Sequence, residues 1–483
     1  MDSSEGGSNN FETSHLKYLD EDAKLPPIVV ESIGKRDKKL PPIDDSHKEG
    51  EERTGDVVSS TGAVLTLSKA MFNTGCFSLP YAWKRGGLWV SFITSILVLC
   101  FNWYGNHVLV KSSQHLAKKS TKHDALDYGH LAQKVCQYSE HKLLRGIAKP
   151  VTYFVNATIL FYQLGLCSVS VLFISVNMVN LGGGYLGSTK NEQMFIACTI
   201  CLPFLILVNM FTRMKVIAYF AMTSAIFFAV GIVMILQYTV RQPNQFDQLP
   251  ASSDFTGTAT MIGILMYAFE GQTMMLPVEN KLKHPETFLA KFGVLSTTML
   301  SCGSAMTAIG FLGYTSFGDQ IAPSITSNVP KEGLYSAVNI SLMIQTLLVH
   351  SIALYVIIDV FYSGFSKAIN ERCPRIPEIV LDKGFRLFWV LVTYGMAIGI
   401  PHLEIMIPLV GVTSGTLCAL VFPPLFEMMT FWDEWKSSMS SLTRGIKISW
   451  NCFCIFIGVA AIAAGVYSNA IALVDAFSEG KKT

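Results

Sequence analysis

The chain has 483 residues, of which 50% are hydrophobic and only 15% are charged, and its mean hydropathy is +0.39. Soluble globular proteins carry about 25% charged residues, so this composition predicts a polytopic membrane protein. The net charge of +2 provides no basic face for nucleic acid, and no cysteine pairing, nucleophile triad or nucleotide loop is apparent. We therefore predict that the protein is not an enzyme and needs no metal or cofactor.

Residues 1–56 are polar, carry mixed charges and contain few large apolar side chains. Such a stretch cannot bury enough apolar surface to fold, so we predict a disordered cytoplasmic tail. The pentapeptide KLPPI occurs twice in it, at 24–28 and 39–43. The repeat is either a motif for a cytoplasmic partner or a stiff proline-rich linker, and the sequence leaves both interpretations open.

Eleven apolar segments follow the tail, each near the ~20 residues that span a bilayer as a helix. We refer to them as segments one to eleven. They predict an all-α protein embedded in the lipid bilayer. Their limits are 61–82, 88–110, 150–178, 194–211, 216–238, 256–278, 292–315, 336–362, 385–402, 404–427 and 448–474.

Orientation follows from the lysines and arginines of the connections, which are enriched on the cytoplasmic side of membrane proteins. The even-numbered connections, with Arg386 at the start of segment nine counted among them, contain 21 of these residues, and the odd-numbered connections contain five. The N-terminus is therefore predicted to be cytoplasmic, and residues 475–483 to lie outside the cell or in a lumen. The sequence does not distinguish the plasma membrane from a lysosomal or vacuolar membrane.

Segments one and six both contain backbone-weakening residues at mid-depth. Segment one has Asn73-Thr74-Gly75 in its middle and Pro80 shortly after, while segment six has Glu270-Gly271 followed by Pro277. Free backbone groups at this depth are tolerated only where protein or a water-filled cavity receives them. We therefore predict that both helices are broken.

The two broken segments occupy equivalent places in two units of five segments, 57–238 and 256–427. Because five crossings reverse the direction of entry into the membrane, the two units are predicted to be inverted repeats, with 448–474 as an additional helix. Interrupted helices at corresponding positions of two halves indicate a substrate site. This arrangement favours a secondary transporter.

Several motifs then resemble one family. The chain is similar to the amino acid/auxin permease family, and most closely to its proton-coupled amino acid transporter branch, over about 60–430. The resemblance implies an eleven-helix, five-plus-five inverted-repeat fold of the LeuT type that carries small amino acids with a proton. The motifs are Asp127-Tyr-Gly129, Gln163-Leu-Gly165, Ala268-Phe-Glu-Gly271, Leu276-Pro-x-Glu-Asn-Lys-x-Lys-x-Pro285, Ser324-Ile-Thr-x-Asn-x-Pro330 and Val410-Gly-x-x-Ser414.

The chain departs from the family pattern at two places in segment one. Asn73 stands within a run where the branch is glycine-rich, and Thr66 stands where the branch has a histidine linked to proton coupling. The first change predicts a narrower pocket with an added polar group. The second leaves sodium-coupled or uncoupled transport open.

A zwitterionic substrate needs donors for its carboxylate and acceptors for its ammonium group. We predict that the half-helix N-terminus at Asn73, Thr74 and Gly75 binds the carboxylate. The unwound carbonyls around Phe72 and Phe269 are predicted to accept from the ammonium group. Gly75, and Gly271 in segment six, either let the substrate approach the backbone or merely permit close helix packing.

The ion-coupling candidates are Lys69, Thr66, Glu270 and Asp359. Lys69 is either functional, as intramembrane charges usually are, or one half of an ion pair with Glu270 or Asp359, on the expectation that segment eight packs near segment one. We predict that Glu270 keeps the broken helix in place and that Glu270 or Asp359 carries the proton. His350 fits a packing role better than coupling.

Tyr162 and Gln163 of segment three are the remaining candidates, either as a wall of the pocket or as ordinary packing residues. The leading hypothesis is a proton-driven symporter of small neutral amino acids that works by alternating access. Two alternatives remain: a sensor that signals through the tail, and a sodium-coupled or uncoupled amino acid transporter.

Overall fold

The computed structural model describes residues 58–119, 126–139, 142–182, 185–373 and 375–479. These residues are helical apart from turns, loops and an isolated β-bridge, and no strand is found among them. The predicted tail, with both KLPPI sequences, lies outside the described residues.

Sixteen α-helices are found in the described ranges, and we number them in chain order. They are α1 Ser60–Met71, α2 Leu79–Gly86, α3 Leu88–Lys119, α4 Tyr128–Gln137, α5 Lys142–Gly146, α6 Ala148–Gly182, α7 Lys190–Asn209, α8 Met214–Val240, α9 Phe255–Ala268, α10 Gln272–Asn280, α11 Val294–Phe317, α12 Gly333–Arg372, α13 Glu378–Gly399, α14 Leu403–Val410, α15 Phe422–Ser438 and α16 Ser441–Glu479.

Each of the eleven predicted segments overlaps one or more of these helices, and several helices are longer than predicted. Within the described ranges, nine helical spans are long and apolar enough to cross a membrane, so the protein is an all-helical polytopic membrane protein. Segment one, split into α1 and α2, and segment nine, which is α13, are not among the nine. Eleven crossings and the inverted repeat therefore stay predictions.

Charged residues near the start of α13 make this helix less apolar than the nine spans above. The structure shows which groups these charges contact. Arg386 is buried and bonds both oxygens of Asp382 at 3.0 Å. Its Nη1 also donates to the carbonyls of Asn209 and Phe211 at the end of α7. Since the last carbonyls of a helix lack intrahelical donors, these contacts satisfy both partners.

The predicted breaks in segments one and six are present. In segment one, Ser59 caps α1 by accepting from the amide of Gly62, and α1 ends before Phe72; a 3-10 helix, Thr74–Ser78, then leads into α2. In segment six, α9 ends at Ala268 and α10 begins at Gln272. The residues between these ends leave backbone groups outside any helix.

Packing places the two broken segments side by side. α9 packs on α2 and on α14, and α10 packs on α1. Segment ten is irregular between α14 and α15, where Gly411–Gly415 and Leu417–Val421 have π-helical hydrogen bonding. This π segment also packs on α9, so part of segment ten lines the broken pair.

The expectation that segment eight lies near segment one is not met. Segment eight is α12, which packs chiefly on α6 and α8. Because α12 is apolar on most of its surface, the sequence did not indicate which face contacts which neighbour.

Candidate site at the two helix breaks

The break in segment one is capped from within. The amide of Gly75 donates to Asn73 Oδ1 at 2.7 Å, so Asn73 is the N-cap of the short 3-10 helix. The amide of Thr74 has no acceptor among the described residues. A substrate carboxylate at this terminus would therefore bond the amide of Thr74 rather than that of Gly75.

The break in segment six is held by side chains of its own residues. The amide of Thr273 donates to Glu270 Oε1 at 3.3 Å, and the amide of Gly271 donates to Gln272 Oε1 at 3.1 Å. The side-chain nitrogen Gln272 Nε2 in turn donates to Asn102 Oδ1 on α3. Glu270 thus caps the start of α10, as its predicted positioning role requires.

The two breaks face each other. A Cβ placed on Gly75 would lie 2.7 Å from Tyr267 Cδ1 and 3.0 Å from Ala268 Cα. The hydroxyls of Thr74 and Tyr267 share a hydrogen bond at 3.3 Å. A Cβ on Gly271 would lie 3.0 Å from Met71 Cγ. In this conformation the opposite segment fills the space beside both glycines. The two glycines thus permit close helix packing here, which is the second of the two interpretations given for them.

Like the amide of Thr74, four more polar groups around the breaks have no hydrogen-bond partner among the described residues. They are the side-chain nitrogen Asn73 Nδ2, the hydroxyl Tyr162 Oη, and the carbonyls of Phe72 and Phe269. Buried polar groups are nearly always hydrogen-bonded, and each unpaired one costs about 1–3 kcal/mol. This cluster contains both donors and acceptors, as recognition of a zwitterion requires.

Tyr162 of segment three, 1% exposed, is brought to the breaks. Its ring lies 6.4 Å from that of Tyr267, and its hydroxyl lies beside the Glu270 carboxylate without meeting hydrogen-bond geometry. Gln163 is also buried. Tyr162 therefore lies beside the breaks, and its two interpretations, pocket wall and packing residue, both stay predictions.

Phe72 joins an aromatic group at the edge of the break. Its ring centroid lies 5.6 Å from that of Phe228 on α8, and Phe228 lies 5.4 Å from Phe77. The Phe72 side chain thus packs against segment five, while its backbone carbonyl remains available.

Lys69 and Thr66 lie on α1, one and two turns before the break. No carboxylate among the described residues lies within ion-pair distance of Lys69, so the proposed ion pairs with Glu270 and Asp359 are not formed in this conformation. Thr66 is exposed, and its hydroxyl donates to the carbonyl of Gly62 at 2.8 Å. The structure therefore does not bring these two side chains to Glu270.

Asp359 is also separate from the breaks. It is exposed on α12, and its charged neighbours are Asp127 and Lys281. Glu270, by contrast, is 4% exposed and has no cationic partner among the described residues. Of the two proton candidates, only Glu270 lies at the breaks.

His350 is a satisfied packing histidine, as expected. Its Nδ1 accepts from Asn209 Nδ2 at 3.0 Å, and its Nε2 lies 3.3 Å from Thr393 Oγ1. The Thr393 hydroxyl donates to the carbonyl of Val390, so Nε2 is the donor and the imidazole is neutral.

The connection between segments two and three contains the helix α4. Asp127 caps it by accepting from the amide of His130 at 2.7 Å. Burial acts to raise the pKa of Asp127, but hydrogen bonds from His130 and the amides outweigh burial, and the pKa is lowered. Tyr128 donates to the carbonyl of Cys418 at 2.6 Å, which ties α4 to the π segment.

Three features of the site were missed in the sequence: Tyr267, the pair Asn102 and Gln272, and the π segment. Tyr267 directly precedes the motif Ala268-Phe-Glu-Gly271, which was interpreted only as a helix break. The buried asparagine on segment two was a signal, since buried amides seek partners. Gly411 was noted as part of the motif Val410-Gly-x-x-Ser414, but neither it nor Gly415 was interpreted as a distortion of the helix.

A profile of the family described as transmembrane amino acid transporter protein matches residues 56–471. The chain belongs to the amino acid/auxin permease family. It is 62% identical, over 88% of this chain and 93% of the relative, to the probable amino acid transporter skat-1 of Caenorhabditis elegans. It is 25% identical, over 86% of this chain and 85% of the relative, to the proton-coupled amino acid transporter-like protein pathetic of Drosophila melanogaster.

The family match confirms the resemblance seen in the sequence. The family and these relatives are amino acid transporters rather than enzymes. The chain is therefore an integral, multi-pass membrane protein of an amino acid transporter family.

Proposed function

We propose that the protein is a secondary active symporter of small neutral amino acids, coupled to protons and working by alternating access. The observation that carries this proposal is the facing pair of helix breaks with unpaired polar groups around a buried carboxyl group. Family membership supports the substrate class, and one relative is named as proton-coupled amino acid transporter-like.

The substrate carboxylate binds at the break of segment one. Asn73 Nδ2 and the amide of Thr74 are donors without acceptors in the described part of the chain, and the positive end of a half-helix favours an anion. The ammonium group binds the free carbonyls of Phe72 and Phe269, at the ends of α1 and α9. The negative ends of two helix dipoles thus favour the cation.

The side chain of a small amino acid points toward Tyr162 and Tyr267. Gly75 and Gly271 are in close contact with the opposite segment, so a substrate enters only when segments one and six separate slightly. This limited room favours small substrates, and it accords with Asn73 replacing a smaller residue of the family pattern.

Glu270 carries the coupling proton in this proposal. A carboxyl group holds a proton near neutral pH only when it is removed from water and lacks a cationic partner, and Glu270 meets both conditions. Asp359 remains the second candidate, in a position accessible to solvent.

Purified protein in liposomes tests the proposal. A panel of amino acids is offered with and without an inward proton gradient, in the absence of sodium. Uptake driven by the proton gradient supports the symporter. A sodium requirement identifies the alternative coupling, and saturable binding without uptake identifies a sensor.

Two variants locate the proton. Glu270→Gln should abolish uptake driven by the proton gradient while exchange of internal for external amino acid continues, since exchange moves no net proton. Asp359→Asn is tested in parallel. Glu332→Gln, an exposed carboxylate without a side-chain capping bond, is the matched control. Gradient-driven uptake at wild-type levels in both Glu270→Gln and Asp359→Asn would reject both candidates.

A further inference from the structure

A second group of charges lies away from the helix breaks, where α3, α15 and α16 meet. Glu427 on α15 is 1% exposed. Its Oε1 lies 3.3 Å from Lys447 Nζ on α16 and 3.7 Å from Lys111 Nζ on α3. We call Lys111, Glu427 and Lys447 the three-helix junction.

The second carboxylate oxygen of the junction, Glu427 Oε2, has hydrogen-bond partners of its own. Asn451 Nδ2 donates to Glu427 Oε2 at 3.0 Å, and the Tyr104 hydroxyl lies within hydrogen-bond distance of both Glu427 Oε2 and Asn451 Oδ1. These neutral groups fix the carboxylate without adding charge. The charge balance of the junction is therefore set by two ammonium groups and one carboxylate.

Among the described residues, that balance leaves one positive charge without a carboxylate partner. Each ammonium group has three donors, and both lysines share the same carboxylate oxygen. Their side chains are 38% and 31% exposed, so the remaining donors are accessible. The faces of Phe431 and Trp435 lie 4.8 Å and 4.7 Å from the two ammonium nitrogens and hold the lysines in place.

Further basic residues lie on the three helices near the junction. The same three helix ends carry Lys118, Lys119, Lys436 and Arg444, against Asp433 and Glu434. Glu434 is half exposed and pairs with His115 at 3.9 Å rather than with the junction lysines. The junction lies at the face predicted to be cytoplasmic, where anionic phospholipids concentrate.

We propose that the three-helix junction binds the headgroup phosphate of an anionic glycerophospholipid from the leaflet on the predicted cytoplasmic side. The two ammonium groups donate to phosphate oxygens, as lysines commonly do in phosphate sites. Trp450, 44% exposed on α16 and one turn after Lys447, is of the residue type that is enriched at the depth where headgroups lie. The bound lipid ties α16 to α3 and α15.

The test compares binding of phosphatidylinositol and phosphatidylcholine to the purified full-length protein, by native mass spectrometry of lipid-titrated samples. Wild type should prefer phosphatidylinositol. The double variant Lys111→Gln/Lys447→Gln should lose that preference, by about fivefold for each lysine, equivalent to about 1 kcal/mol per basic residue near an anionic lipid surface. Lys367→Gln/Arg372→Gln removes two charges from the same predicted face and should leave the preference intact.

A second variant works in the opposite direction. Glu427→Gln retains a polar group for Tyr104 and Asn451 but leaves both ammonium charges uncompensated, so phosphatidylinositol should bind more tightly than in wild type. Lys111→Arg/Lys447→Arg preserves charge and should retain the preference, which separates charge from folding if the glutamine variants are unstable.

Three outcomes would overturn the proposal. An unchanged preference in Lys111→Gln/Lys447→Gln would show that the junction only joins the helices. Equal loss in Lys367→Gln/Arg372→Gln would show a general effect of surface charge. Equal binding of glycerophosphoinositol, the same headgroup without acyl chains, would assign the site to a soluble phosphate ester rather than a lipid.

Discussion

Asn73 serves two purposes at the break of segment one. Its Oδ1 accepts from the amide of Gly75 at 2.7 Å and stabilises the half-helix, while its Nδ2 is buried without a partner among the described residues. A glycine at this position would supply neither group. The residue thus combines a structural cap with a donor directed at the proposed substrate carboxylate.

Two substitutions separate these purposes. Asn73→Ser keeps a capping oxygen but removes Nδ2, so the KM for amino acid uptake should rise about tenfold, since a hydrogen bond to a charged group contributes about 1.5–3 kcal/mol. Asn73→Ala removes the cap as well and should lower the free energy of unfolding by about a further 1 kcal/mol. Liposome uptake measures KM, and denaturant titration in detergent measures stability. A wild-type KM in Asn73→Ser would show that Nδ2 does not contact the substrate.

At this residue scale the sequence predicted where the breaks occur but not what fills them. Gly75 and Gly271 indicated weakened backbone because glycine and nearby proline disfavour a continuous helix. That Tyr267 and Met71 occupy the space beside them depends on packing between residues far apart in the chain. Asn73 capping its own half-helix was readable, since asparagine is a preferred N-cap, but it was interpreted only as a contact to substrate.

Among the elements, the π segment of segment ten makes a close approach to segment six. A Cβ on Gly411 would lie 2.0 Å from the carbonyl oxygen of Gly263, whereas a Cβ on Gly415 would have ordinary contacts at 3.6 Å and beyond. π-helical turns occur frequently at functional sites. Here the distortion places a wall of the proposed pocket against α9.

The two glycines form a matched pair for a test of this contact. Gly411→Ala should destabilise the protein by about 1–3 kcal/mol, because the added methyl group forces α9 and the π segment apart. Gly415→Ala should change the free energy of unfolding by less than about 0.5 kcal/mol. Unfolding in detergent micelles measures both, and similar losses in the two variants would contradict the proposed close contact.

The elements also explain why the main neighbours of segment eight were not predicted correctly. α12 is apolar around most of its circumference, and a membrane helix faces lipid and protein with similar residues, so its hydrophobic pattern does not reveal its buried face. Arg386 illustrates the reverse problem. Its charge weakened the apolar pattern of segment nine, although the structure satisfies it with Asp382 and the last carbonyls of α7.

Across the whole molecule, segments one and six are joined at two levels. Their breaks contact each other at mid-depth, and Val58, just before α1, forms a β-bridge with Leu282, just after α10. The amide of Val58 donates to the carbonyl of Lys281 at 2.7 Å, and the amide of Lys283 donates to the carbonyl of Val58 at 3.1 Å. We infer that α1 and α10 move together during alternating access.

Val58→Pro removes the first of these donors, and Val58→Ala keeps both backbone bonds and serves as the control. In Val58→Pro the amide of Lys283 should exchange with solvent faster, because the remaining bond of the bridge loses its neighbour, and α1 should move independently of α10. Uptake should slow with little change in KM, since the substrate site at the breaks is intact. Hydrogen exchange measured by mass spectrometry follows the bridge, and liposome uptake follows the transport rate. Faster exchange at Lys283 with a wild-type uptake rate would show that the bridge opens without affecting transport, and that joint movement of α1 and α10 is not required.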